Sequence, residues 1–172
     1  LHLTDKLAVY FQEVKKGLEI AYIPPCVNRS EATFDVRDQK LVYALGALKN
    51  VGVEAMKLIT EARGDDQFVT LFDFARRVDI KRVGKRPLEM LARAGAFDVL
   101  DPNRRRVMAS LDGLTAYSAA IHEQKSSNQV SLFGEAGDDL PEPRLAGGDD
   151  WLPAERLAEE FKAIGFYLSG HP

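Results

Sequence analysis

Leu45-Gly46-Ala47-Leu48-Lys49-Asn50-Val51-Gly52-Val53-Glu54-Ala55-Met56 is the stretch on which the reading of this chain turns. Ala44 to Leu48 is a short apolar turn of helix. Lys49-Asn50-Val51-Gly52 interrupts it, because Asn and Gly accept backbone conformations that a helix interior does not use. A second helix is expected from Val53 to Arg63, closed by Gly64. The start of that second helix presents amide groups with no partner of their own, and the helix dipole there favours an anion. Two devices fit the pattern. One is a helix, a hairpin and a helix that aim main-chain N–H groups at a phosphate. The other is a plain pair of helices joined by a glycine turn. Asn50 stands where the phosphate-binding form commonly carries a second glycine.

Working outward, Thr4 can cap a helix whose apolar stripe is Leu7, Tyr10, Phe11 and Val14, ending at Gly17. Ile20 to Ile23 is β-prone and is stopped by Pro24-Pro25. Ala32 to Val36 and Lys40 to Tyr43 read as a small hairpin around Arg37-Asp38-Gln39. On the C-terminal side a helix is expected over Phe68 to Val78, with Leu71, Phe74, Ala75 and Val78 on one face. Pro87 suits the first turn of another helix, which runs to Ala94 and stops at Gly95. A longer helix follows Leu100, its stripe formed by Val107, Leu111, Leu114, Tyr117 or Ser118, and Ile121. Glu123 to Asp150 is rich in Ser, Gly, Pro and acids and is expected to be a mobile linker. Pro153 opens a last helix to Ala163, and the ending Gly165 to Pro172 stops after apolar residues, as if cut from something longer. The fold class is therefore mostly α, with a short β hairpin near the N-terminus.

Charge is divided along the chain. The net value is −3 over 172 residues, which alone argues against a polyanion partner. Yet Arg76 to Arg106 carries ten basic residues against four acids, while Gly134 to Glu160 carries nine acids against two arginines. That asymmetry suggests a basic working face and a solvated acidic connector. Ile80-Lys81-Arg82-Val83-Gly84-Lys85-Arg86-Pro87 and Arg104-Arg105-Arg106 either neutralise phosphates or form an ordinary solvated helix surface. In the linker, Gln129-Val130-Ser131-Leu132-Phe133 is an apolar island. Leu132 and Phe133 either anchor a docking peptide in a partner's pocket or fold back on the helices.

Other functions find no support in the residues. His2, His122 and His171 are far apart in sequence, and none has metal-ligand spacing with Cys26 or a carboxylate. No phosphate-binding P-loop, dinucleotide fingerprint or nucleophile elbow occurs. A nuclease or ligase-like enzyme fragment, the rival from another class, needs a metal-holding carboxylate cluster. No metal or cofactor is expected. No stretch approaches the ~20 apolar residues of a bilayer span. The start lacks an export signal, and the single Cys26 excludes an internal disulfide, so a cytoplasmic location is expected.

Four segments together carry a resemblance. Tyr22-Ile23-Pro24-Pro25-Cys26-Val27-Asn28-Arg29-Ser30, Tyr43 to Gly52, Ala94-Gly95-Ala96-Phe97-Asp98 and Gly165 to Pro172 occur in the order found in the alpha subunit of bacterial DNA polymerase III. The chain resembles that family over essentially its whole length. The resemblance implies the end of a fingers domain over 1–32 and a tandem helix-hairpin-helix DNA-binding unit over 33–122. It further implies a linker over 123–150 that carries a sliding-clamp peptide, and a helix over 151–172 leading to an oligonucleotide-binding domain. The family's polymerase aspartates lie upstream, so no active site is expected here, although the parent protein is a DNA-directed DNA polymerase. DNA contacts are expected at Lys49, Asn50, Val51, Gly52, Lys81, Arg82, Lys85, Arg86, Arg104 and Arg105. Clamp contacts are expected at Gln129, Ser131, Leu132 and Phe133. The implied partners are duplex DNA, the beta sliding clamp and the rest of the alpha subunit. The second hairpin falls either at Arg82 to Lys85 or at Gly95 to Leu100. The alternative is a helical scaffold that binds other replisome proteins without touching DNA.

Overall fold

A computed structural model describes residues 22–126 and 140–165. The expected helix near Thr4, the docking peptide and most of the Gly165–Pro172 ending lie outside the described residues. The first element among the described residues is strand β1 (Tyr22–Ile23), followed by β2 (Asp35–Arg37) and β3 (Lys40–Val42). β2 and β3 form the expected hairpin, turned by Asp38 and Gln39 at φ 50° and 65°. Paired positive φ values match the strand twist, although neither residue is the glycine such a turn usually prefers. β1 adds in parallel to β3, in the order β1-β3-β2, a pairing the sequence reading did not anticipate. Its dipeptide is too short to show a periodicity.

Six helices follow among the described residues: α1 (Val53–Arg63), α2 (Leu71–Arg77), α3 (Ile80–Val83), α4 (Lys85–Ala94), α5 (Arg104–Ser126) and α6 (Pro153–Ile164). A 3-10 turn over Leu45–Ala47 precedes α1. The helix expected from Phe68 begins instead at Leu71, because the Thr70 hydroxyl accepts from Asp73 N–H at 2.9 Å and the Asp73 carboxylate accepts from Val69 N–H at 3.0 Å. This reciprocal capping fixes the entry to α2. Arg77, in the last turn of α2, donates to the carbonyls of Ala62, Arg63, Asp66 and Gln67 and so closes the end of α1.

One core joins everything described. Val27, Leu48, Met56, Phe74, Leu88, Phe97, Leu111, Ile121 and Ile164 belong to a single buried cluster. Phe74 sits edge-on to both Phe68 and Phe97, with ring centroids 4.9 and 5.0 Å away. The described residues do not pack along the expected boundaries. Residues 22–32 are held by Asn28, which exchanges both main-chain bonds with Phe68, and by Val27 N–H to Ala96 O at 2.9 Å. Arg63, buried, donates to the carbonyls of Val27 and Ser30. At the other end, α6 lies against α4 and buries Ala163 and Ile164 completely.

Residues 140–150 also depart from the linker expectation, as does α5, which extends to Ser126. They form an extended strap along α5. Glu142 pairs with Arg76 at 3.0 Å, Ala146 N–H donates to Ser110 Oγ at 2.9 Å, and Gly148 O accepts from Asn103 at 3.0 Å. Composition suggested a solvated stretch because the half-buried Leu140 and Leu145, which pack against the core, are isolated among polar residues.

Candidate nucleic-acid interface

The second turn forms at Arg82 to Lys85, where Gly84 alone separates α3 from α4. It repeats the first. Gly52 has φ 82° and ψ 140°, and Gly84 has φ 100° and ψ 150°; neither helix start carries a side-chain cap. Both glycines occupy a backbone region that a side chain strongly disfavours. The correspondence continues through the surrounding residues at an offset of 32: Leu48 with Ile80, Val51 with Val83, Met56 with Leu88, and Ile59 with Leu91, all buried. The apolar residues seat each hairpin on the core, and the glycine turns the chain into the next helix, whose start has no side-chain cap. The offset is present in the sequence and was the overlooked signal.

The two hairpins differ in charge. The first carries Asn50, at φ 60°, then Val53 and Glu54, with Glu54 paired to Lys57 at 3.2 Å. Lys49 is half-buried, and its N–H donates to Ala163 O at the end of α6. Val51 is buried, so only its main chain can reach a ligand. The second hairpin has Arg82, Lys85 and Arg86 at the corresponding positions. Those three and Lys81 are exposed, and the first turn of α4 contains no acid. Ser118, buried on α5, receives the Ile80 N–H and donates to Val78 O, which anchors the short α3 beneath these charges.

The Arg104-Arg105-Arg106 triplet resolves into three environments. Arg104 is 7% exposed; its guanidinium meets Asp98 at 3.0 Å and Glu160 at 3.2 Å. It is withdrawn from solvent and so is removed from the expected DNA contacts. Arg106 makes two hydrogen bonds to Asp101, each 2.7 Å long. Among the described residues Arg105 is the exposed member without a carboxylate partner, while Arg106 is half-exposed and held by Asp101. The start of α5, unlike that of α4, is already occupied: Asn103 accepts from Arg106 N–H and Asp150 from Arg105 N–H. Arg76, Arg77 and Arg93 are likewise paired to carboxylates. Between Arg76 and Arg106 the exposed basic residues are therefore Lys81, Arg82, Lys85, Arg86 and Arg105, of which Lys85 pairs with a carboxylate, Asp112.

The helix-hairpin-helix motif family matches residues 19–107, more than half of the chain and both hairpins. The chain belongs to this family. Over nearly all its length this helix-hairpin-helix chain is also homologous to a segment of DNA polymerase III alpha subunits, in agreement with the resemblance read from its motifs. It is 44% identical over 170 residues to the subunit of Caulobacter vibrioides and 40% identical over 172 residues to that of Neisseria meningitidis serogroup A. It is 38% identical over 172 residues to the Thermus aquaticus subunit. These alignments cover 98–99% of the chain and 14–15% of the relatives.

Three carboxylates in the helix-hairpin-helix body are held below their ordinary range. Burial alone would raise Asp101, Asp150 and Glu159. Arg106 and the Asn103 N–H outweigh it at Asp101; the N–H groups of Arg105 and Trp151, with Arg156, outweigh it at Asp150; Lys162 and Arg93 outweigh it at Glu159. These are structural pairs that position the strap and α6. Gln129, Ser131, Leu132 and Phe133 lie outside the described residues, but the residues flanking them, Ser126 on α5 and the half-buried Leu140, both belong to the body. Among the described residues no cluster of three His, Cys, Asp or Glu could hold a metal ion, and no helix is long and apolar enough to cross a membrane.

Proposed function

We propose that this chain holds duplex DNA by its phosphates, without reading sequence, as a non-catalytic part of a replicative DNA polymerase. The main-chain amides of both hairpins would donate to phosphate oxygens, and Lys81, Arg82, Lys85, Arg86 and Arg105 would supply positive charge. The observation that carries this reading is the repeated hairpin, with the same glycine geometry twice and an uncapped, basic helix start at the second. An uncapped helix start with Arg and Lys beside it suits an anion better than any neutral partner. In the same reading Gln129, Ser131, Leu132 and Phe133 dock on the beta sliding clamp. Two weak attachments joined through one body then outlast either alone.

Fluorescence anisotropy with a labelled random-sequence duplex, over a range of salt, tests the DNA role. Removing one cation that touches a phosphate should lower the slope of log K against log salt by about 0.9. Arg82→Met, Lys85→Met and Arg86→Met together should weaken binding and flatten the slope by two to three such steps. No binding at low salt would instead favour the scaffold reading, for which Lys49 N–H held by Ala163 O is the supporting interaction. For the clamp, Leu132→Ala with Phe133→Ala should abolish binding to the purified clamp and leave the duplex titration unchanged.

A further inference from the structure

The Lys85 ammonium lies 3.0 Å from the carboxylate of Asp112, on the neighbouring helix α5, with the two side chains 59% and 80% exposed. Asp112 is the only acid from another element that pairs with the described residues of the second hairpin; Glu89, on α4 itself, is the other acid acting on Lys85. Asp112 lies seven residues beyond Arg105, on the same face of α5. It therefore sits beside Lys85 on the helix face that also carries Arg105, where packing does not require a carboxylate. Both side chains reach into solvent, so the pair does not hold the fold together. It does occupy the cation that a phosphate at the α4 start would use.

We propose that Asp112 is an internal substitute for phosphate, which holds Lys85 when no duplex is bound and weakens the grip when one is. This inference rests on the phosphate-holding reading of the second hairpin. The carboxylate and a DNA phosphate are both anions competing for one ammonium, and they repel each other across that site. Duplex binding must break the pair, so the hairpin holds DNA less tightly than its basic residues alone would allow. A sequence-independent grip weakened in this way lets the duplex be released and re-engaged as it moves. Lys85 itself is shifted toward the charged form by Asp112, which agrees with an occupied site.

The test titrates the same labelled duplex into the 172-residue chain at low and moderate salt, using Asp112→Asn, Lys85→Met and the double variant. Exposed surface pairs of this kind are worth roughly two- to fivefold in an equilibrium. Asp112→Asn should therefore tighten binding about two- to fivefold at low salt, with the gain shrinking as salt rises. In the Lys85→Met background that gain should fall by at least half. Unchanged or weaker binding by Asp112→Asn overturns the inference, as does an equal gain with and without Lys85. Arg86→Met separates the two levels of argument. Weaker binding by Arg86→Met with no gain from Asp112→Asn leaves the hairpin reading standing and removes this inference alone. No response to Arg86→Met overturns the hairpin reading and this inference with it.

Discussion

Arg104→Met takes away the guanidinium that faces Glu160, a carboxylate only 2% exposed, and Asp98 beside it. Breaking a buried pair from one side leaves a charge that the interior cannot solvate, and typically costs about 3–5 kcal/mol. The variant should unfold at markedly lower urea while its DNA salt slope, where binding is measurable, stays that of the parent. A flattened slope at unchanged stability would return Arg104 to the DNA surface. The triplet showed in sequence only that three arginines were adjacent. Helix geometry turns consecutive residues about 100° apart, so the three cannot all face one way. What could not be read is that Glu160, far along the chain, waits there. The carboxylates also set a pH dependence. Asp101, Asp150 and Glu159 titrate lower when folded than unfolded, so their stabilisation is complete above the unfolded carboxylate range, about pH 4. It is lost as pH falls from there through the lowered folded values. Urea midpoints should be flat in this respect from about pH 7 to about pH 5 and then decline. Asp101→Asn should reduce the decline, and an unchanged profile in that variant would count against the Arg106 pair as its source.

At the scale of elements, the second hairpin depends on Gly84. Its φ of 100° and ψ of 150° lie where a residue with Cβ is strained, although the space itself is open, the nearest neighbouring atom being on Pro87 at 3.5 Å. Gly84→Ala should therefore cost about 1–3 kcal/mol through the backbone, or else rotate the α4 start away from its present direction. In either case duplex affinity should fall, and a variant with parental affinity and stability would show that the turn geometry is not what presents the amides. Helices α1, α4 and α6 were legible because glycine or proline punctuates an apolar stripe at each. The first hairpin was legible for the same reason. The second was ambiguous because α3 is four residues long, too short for any periodicity, and is held instead by Ser118 from a distant helix. The strap escaped for the opposite reason: its composition is that of a linker, and what fastens it is scattered, the bonds to Ser110, Asn103 and Arg76, the Asp150 contacts and the isolated Leu140 and Leu145.

For the molecule as a whole, the question is whether the hairpins can stand without what flanks them. The sequence suggested that 33–122 is a unit with a linker and a separate helix behind it. The packing argues for one cooperative body instead. Helix α6 supplies Ala163 and Ile164 to the core, Glu159 to Arg93 at 2.8 Å and Glu160 to Arg104, and its last turn accepts the Lys49 N–H of the first hairpin. Fully burying one Ile contributes about 1.5–3 kcal/mol, and removing Glu160 strips Arg104 of one of its two carboxylates. Added together, these terms are comparable with the roughly 5–15 kcal/mol that typically holds a domain of this size. A chain ending at Asp150 should therefore lose most of its cooperative urea transition, and the first hairpin should lose duplex affinity together with it, since its turn is held from behind by α6. The full 172-residue chain should instead show one transition by both circular dichroism and Trp151 fluorescence. A truncated chain that keeps the parental midpoint would mean that α6 only rests on the surface, and that the hairpins form a self-sufficient domain after all.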